Sequence, residues 1–285
     1  MSEAILVTGA TGTIGRDVVK RLAQKKASVR VAIRDKAKAS KLFGPAVELV
    51  EFDFENAATF SKALDGVARL FVLPPLTPNQ IEMVNRLIDA AKNAGVRTIV
   101  KLSAIGVETG LTFAVGNSHA AIDRHLRESG TVYTILRPNS FMQNFINYFP
   151  PRDSVIYLPW GDGKASFIDI RDIASVAAEA LTSNGHAGKI YTLTGPAALG
   201  VADVAQILSK ASGRKISYVD VPESAAREGM LQAGFPGWQV EALMELHAIN
   251  KQSLWSAVTS DVQEITGRPA TSFEQFAPDY AGKFQ

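Results

Sequence analysis

Apolar and polar positions follow two rhythms along this chain. Short apolar runs at residues 4–7, 29–33, 47–52, 68–73, 98–102 and 132–136 each have the length of one strand, and residues 47–52 also alternate. Between the runs the period becomes helical. Ile14, Val18, Val19 and Leu22 share one helix face, and Ile81, Val84, Leu87, Ile88 and Ala91 share another, closed by Gly95. A further helix carries Asn117 to Asp123, and the segment Ser166–Ala174 opens another, with Asp172 read as its cap. A short strand follows at Ile190–Leu193. Beyond Gly195 come helices with aromatic loops, first Val204–Ala211 and then the region around Phe235-Pro236-Gly237-Trp238. Strands alternating with helices over links of this size predict an α/β protein of Rossmann type, a doubly wound parallel sheet.

The end of the first run carries the chemistry. Ala4-Ile5-Leu6-Val7-Thr8 breaks into Gly9, Gly12 and Gly15, with Thr11, Thr13 and Ile14 between them, and a helix begins at once. Strand, glycine turn and helix form the context of a dinucleotide site, in which the helix N-terminus points free N–H groups at a pyrophosphate. The second strand ends beside the adenosine ribose in this architecture. Arg34 stands there, where an acidic residue would hold a 2′-hydroxyl, so NADP(H) is the expected cofactor and NAD(H) the lesser one. Asp53, followed by Phe54, lies where a carboxylate accepts from the adenine amino group. Pro74 and Pro75 stop the fourth strand beneath the cofactor.

Composition removes several alternatives. Thirty lysines and arginines stand against 28 acidic residues in 285, a net charge of +2, with no basic run. That balance gives no electrostatic case for nucleic acid or an anionic membrane. No apolar segment reaches transmembrane length and the N-terminus lacks a secretory pattern, so a cytoplasmic protein with a small-molecule partner is expected. Zero cysteines exclude disulfides and thiol nucleophiles, and four scattered histidines predict no metal site. The sequence sets no oligomeric state.

Together these residues resemble the NmrA-like branch of the atypical short-chain dehydrogenases/reductases, over nearly the whole chain. The likeness rests on Thr8-Gly9-Ala10-Thr11-Gly12-x-x-Gly15, Leu102-Ser103-Ala104, Leu136-Arg137-Pro138-x-x-Phe141-Met142-x-Asn144 and Phe167-Ile168-Asp169-x-x-Asp172-Ile173-Ala174. The third segment is the more specific one. Within that branch the chain looks closest to the flavin-free NAD(P)H reductases of azo dyes, quinones and triphenylmethane dyes. The resemblance implies bound NADP(H), no flavin and no metal. It places a nicotinamide near Leu73-Pro74 and the loop from Pro138 and Asn139 to Phe141. It further implies a Rossmann core over residues 1–145, to which 165–195 return, and a smaller, mainly helical substrate lobe over 146–164 and 196–285.

One departure bears on mechanism. Typical members of the wider superfamily carry Tyr-x-x-x-Lys, the tyrosine as proton donor; the corresponding helix here reads His119-x-x-x-Asp123. Ser103 matches the position of the superfamily serine, and Lys101 points to the same strand face. His119 is the imidazole that the resemblance places over the pocket, and an unperturbed imidazole titrates near neutral pH. Ser103 and His119 are therefore the catalytic candidates. Phe141, Phe145, Trp160 and Trp238 are the aromatic candidates for a planar substrate, while His125, His186 and His247 read as surface or packing residues. The expected function is hydride transfer to conjugated aromatic acceptors, the alternative a non-catalytic NADP(H)-binding redox sensor of NmrA type.

Overall fold

The computed structural model describes residues 3–44 and 47–284. In chain order the elements are β1 (Ala4–Val7), α1 (Thr13–Gln24), β2 (Val29–Ile33), α2 (Lys36–Phe43), β3 (Glu48–Glu51), α3 (Phe60–Leu64), β4 (Val67–Val72), α4 (Gln80–Asn93), β5 (Thr98–Leu102), α5 (Ala114–Glu128) and β6 (Val132–Pro138). There follow α6 (Asn144–Asn147), β7 (Val155–Leu158), β8 (Lys164–Ala165), α7 (Ile170–Thr182), β9 (Lys189–Leu193), β10 (Leu199–Gly200) and α8 (Val201–Ser212). The chain closes with β11 (Ser217–Asp220), α9 (Glu223–Gln232), α10 (Gly237–Lys251), α11 (Asp261–Thr266) and α12 (Phe273–Asp279).

The chain forms two compact units. The first comprises Met1–Ala104, Ser118–Arg137 and Ile170–Thr192; the second comprises Ile105–Asn117, Pro138–Asp169 and Leu193–Gln285. Residues 105–117 and 138–145 thus belong with the second unit.

A sheet of order β3-β2-β1-β4-β5-β6-β9 organises the first unit. Every pairing from β3 to β6 is parallel. Strands buried on both faces read as continuous apolar runs, which is why Ile5-Leu6-Val7 and Ile99-Val100 carry no alternation. One face is covered by α1, whose buried stripe is Ile14, Val18, Val19 and Leu22, packed against α7. That close approach is possible because α7 is rich in buried alanine. Asp172 lies inside the first turn of α7, two residues past its start, so it is not the cap. On the other face Val84, Leu87, Ile88 and Ala91 of α4 and Ile122 and Leu126 of α5 meet Leu70, Val72, Ile99 and Ile135 of the sheet.

The strand order reverses between β1 and β4, and a crevice opens outside their carboxyl ends. Thr8 fixes its floor. The buried Thr8 hydroxyl donates to Phe71 O at 3.0 Å and accepts from Leu73 N–H at 2.9 Å.

The second unit packs α8 and α12 around aromatic side chains. Trp160 stacks on Phe167 with centroids 5.7 Å apart, and Phe145 meets Phe167 edge-on at 5.2 Å. The parallel pair β7–β11 and the antiparallel pair β8–β10 border this core. Among the described residues no helix is long and apolar enough to cross a membrane, and no cluster of ligands is placed to hold a metal ion.

Candidate active site

The crevice of the first unit is a groove of about 600 Å³. Gly9, Thr11, Gly12, Arg34, Asp53, Phe54, Leu73 and Pro74 all line it, together with Phe52 and Thr77. Of the other predicted cofactor residues in this unit, Ile14 and Gly15 are buried behind the turn, and Thr13 is exposed in the first turn of α1.

The three glycines of the turn differ in what demands them. Gly9 adopts φ +62°, and a Cβ there would lie 2.6 Å from Leu73 Cδ2. A Cβ at Gly15 would lie 2.3 Å from Gly9 O, so only glycine lets α1 pack onto the turn. Gly12 has an ordinary φ of −80°, and its Cβ would meet Gly9 O at 3.3 Å. The fold asks little of Gly12. Its bare backbone faces the groove instead, at the head of a helix with no side-chain cap and no acidic residue in its first turn. Orphan N–H groups at such a terminus suit an anion. Arg34, exposed just past β2, puts a guanidinium at the far wall. The residues present therefore fit a phosphorylated dinucleotide.

A second cluster lies in the interior of the same unit. Lys101 of β5 places Nζ 2.6 Å from Asp123 Oδ1 and 3.2 Å from His119 Nδ1, both on α5. Ser103 Oγ donates to Asp123 Oδ2 at 2.9 Å, and Arg137 Nη2 lies 3.4 Å from the same oxygen. Burial lowers the pKa of Lys101, with the Asp123 carboxylate opposing the shift. Burial, and then the Lys101 charge, hold His119 well below the usual imidazole range. An ammonium only donates, so Nδ1 of His119 accepts and its neutral ring carries the proton on Nε2.

These contacts revise the catalytic candidates. His119 is a neutral N–H donor rather than an imidazolium near neutral pH. The Ser103 hydrogen is already given to Asp123. Lys101 and Asp123 join the candidates on geometry: the lysine of the usual helix is absent, and a lysine of β5 occupies the cluster. The available signal was a single charge inside the apolar run Thr98-Ile99-Val100-Lys101-Leu102.

The second unit corrects several others. Phe145 and Trp160 are buried in its aromatic core and are not substrate contacts in this arrangement. Asn139 is buried, its amide donating to Ser166 Oγ at 2.7 Å and Trp255 O at 2.8 Å while its own oxygen accepts from Ser140 N–H. It ties three segments of the unit together, with no amide hydrogen left for a cofactor. Pro138 is buried at the end of β6. Phe141 is half-buried in a bridge with Ile168, and Trp238 is 41% exposed in the first turn of α10. His125 and His186 make local contacts with Asp89 and Tyr191.

Fold and groove thus define a dinucleotide-binding α/β protein. The chain belongs to the NmrA-like family, whose model matches residues 1–274. It is 39% identical over 282 residues to the NAD(P)H azoreductase of Xenophilus azovorans, covering 98% of this chain and 99% of that one. The NADPH-dependent quinone oxidoreductase of Escherichia coli in complex with NADPH superposes with a TM-score of 0.88 at 25% identity, covering 96% of this chain and 99% of the other. The Citrobacter triphenylmethane reductase in complex with NADP(H) gives 0.86 at 25% identity, with 97% and 99% covered.

Proposed function

We propose that the protein is a flavin-free, NAD(P)H-dependent reductase of conjugated aromatic acceptors: azo compounds, quinones and triphenylmethane dyes. The observation that carries this reading is the groove itself, where a bare Gly12 at the head of α1 and an exposed Arg34 past β2 match a pyrophosphate and a 2′-phosphate. The named activities of the azoreductase, quinone oxidoreductase and triphenylmethane reductase support the acceptor class.

Bound in this groove, NADPH would supply a hydride equivalent. Gly12 and the first turn of α1 would hold the pyrophosphate, Arg34 the 2′-phosphate, and Asp53 the adenine amino group. Thr8 keeps Leu73, and with it the groove floor, in place. Binding at fixed geometry converts a chance encounter into a unimolecular step, the protein's main contribution to such a reaction. The Nε2–H of His119 is an uncharged donor oriented by Lys101. A cationic or strongly conjugated acceptor needs little acid assistance, which agrees with a site that lacks the superfamily tyrosine.

An acceptor screen tests the reading. The purified, colourless protein should oxidise NADPH in the presence of an azo dye, a quinone or a triphenylmethane dye. NADPH deuterated at C4 should deliver its label to the central carbon of the triphenylmethane product. A yellow, flavin-loaded protein would overturn the direct mechanism. Tight NADP⁺ binding with no turnover of any acceptor would replace the reductase reading with that of a redox sensor.

A further inference from the structure

The second unit contains a cavity of its own, about 400 Å³ in volume, within the range of small-molecule sites. Tyr148, Phe149, Leu158, Phe235 and Leu243 give it an aromatic and aliphatic wall. The lining also takes in α9, which presents Ala225, Ala226, Gly229 and Met230 to the cavity at helical spacing, with Ala233 just past its end. No residue of α9 is buried, and a Cβ added at Gly229 would meet nothing within 4 Å. Ion pairs tie this helix to α10, Arg227 to Glu241 and Lys251 to Glu223. Small side chains therefore leave room that the protein does not fill.

His247 of α10 also lines this cavity, and it is the decisive residue. It is only 4% exposed. The indole of Trp160 donates to its Nδ1 at 2.7 Å, and an indole N–H only donates. Nδ1 must therefore accept, which fixes the ring as the Nε2–H tautomer. Nε2 itself has no hydrogen-bond partner among the described residues. Phe149 meets the ring at 5.9 Å and Trp160 at 6.1 Å, which hold its plane. Nε2 is not sealed from solvent, so this donor, unpaired within the protein and on a ring that lines the cavity, is open to a ligand acceptor.

We propose that this cavity is a binding site for a flat, conjugated molecule bearing an uncharged hydrogen-bond acceptor, a quinone carbonyl or an azo nitrogen, read by the Nε2–H of His247. That the ligand is the electron acceptor rests on the reductase reading above; the site and its chemistry rest on the cavity. Burial holds His247 at a pKa of about 4, so the donor stays neutral and keeps its single proton across the physiological range. A neutral donor selects an acceptor atom without asking the ligand to be charged.

Calorimetric titration without cofactor tests this, using 4-carboxyazobenzene and its near-isostere 4-carboxystilbene, which lacks the acceptor nitrogens. Wild-type protein should bind the azo compound roughly three- to tenfold more tightly, the range of one neutral hydrogen bond. His247→Leu should abolish that difference. His247→Gln should retain part of it, because its amide oxygen can accept from Trp160 while its NH₂ donates. Gly229→Leu places a side chain into the open volume from a helical position and should weaken both ligands at least tenfold while the protein remains folded. Equal affinity for the two ligands in wild type, or Gly229→Leu binding as wild type does, would overturn the proposal. The two readings fail separately. NADPH turnover unaffected by substitutions that do alter binding removes the acceptor role of this site and leaves the reductase reading, whereas discrimination of the ligands without any NADPH turnover removes the reductase reading alone.

Discussion

Arg34 is a residue whose place is set by the strand before it: Val29–Ile33 is buried in the sheet, and the first position past its end emerges at the groove wall. A charge-assisted hydrogen bond contributes about 1.5–3 kcal/mol, or roughly ten- to a hundredfold in affinity. Arg34→Ala should erase most of a preference for NADPH over NADH while NADH affinity stays nearly unchanged, as read from dissociation constants for both. Equal losses would make the arginine structural. Lys101 is the opposite kind of residue, a charge inside the core held by Asp123. Its charge is the second cause, after burial, of the lowered His119 pKa. In Lys101→Met the His119 pKa should therefore rise part of the way toward the ordinary value and no further, since burial remains. Histidine ring signals followed by NMR titration check this. An unchanged His119 titration would mean that the 3.2 Å contact carries no electrostatic coupling.

The β1–α1 turn shows how one element combines two demands. Gly15→Ala puts a methyl carbon within 2.3 Å of Gly9 O and should destabilise the fold, by about 1–3 kcal/mol as overpacking typically does. Gly12→Ala meets only Gly9 O, at 3.3 Å, and should leave stability nearly intact while weakening NADPH binding severely. Thermal unfolding and NADPH titration of the two variants should thus show contrasting losses. This turn was legible in the sequence, because a buried parallel strand, a glycine turn and an amphipathic helix each leave a periodic or compositional mark. The same holds for the strands of the first unit, whose boundaries moved by only a residue or two, whereas the short helices Lys36–Phe43 and Phe60–Leu64 carry too little period to be read. The second unit was less legible. Val155–Leu158 and Ser217–Asp220 are short strands that pair across about 60 residues, and a four-residue run carries little period. Residue type alone makes Phe145 and Trp160 candidates for a flat ligand. Only packing reveals that the Phe167 and Phe273 rings enclose Phe145, and that Phe167 stacks on Trp160. His247 reads from the sequence as a surface or packing residue, because a histidine in a helix carries no signal of its own until Trp160 is seen to fix its tautomer.

Across the whole chain the interior holds imidazoles as neutral donors. His119 in one unit and His247 in the other are each lowered chiefly by burial, and each has its Nδ1 occupied by a donor. The consequence is a stability that depends on pH. His247 has an ordinary value of 6.5 in the unfolded chain and about 4 in the folded one. Between those values the unfolded state binds a proton that the folded state does not, so the free energy of unfolding falls as pH falls. The contribution is fully present above 6.5 and is lost progressively toward 4. Between pH 7 and pH 5 it amounts to about 2 kcal/mol for this one residue. His119 and His186, both lowered, add in the same direction, as does Glu179, whose carboxyl is held low by Lys25 and Ser183 against the effect of its burial. The residue-specific part is separable. His247→Gln retains an acceptor for the Trp160 indole and cannot titrate, so its unfolding free energy should fall by about 2 kcal/mol less than wild type between pH 7 and pH 5. Guanidinium unfolding followed by tryptophan fluorescence at the two pH values measures the difference directly. Any stability lost by the substitution itself cancels, because each protein is compared with itself. Parallel losses in the two proteins would show that His247 becomes protonated in the folded state as readily as in the unfolded chain, and that its burial does not hold it neutral.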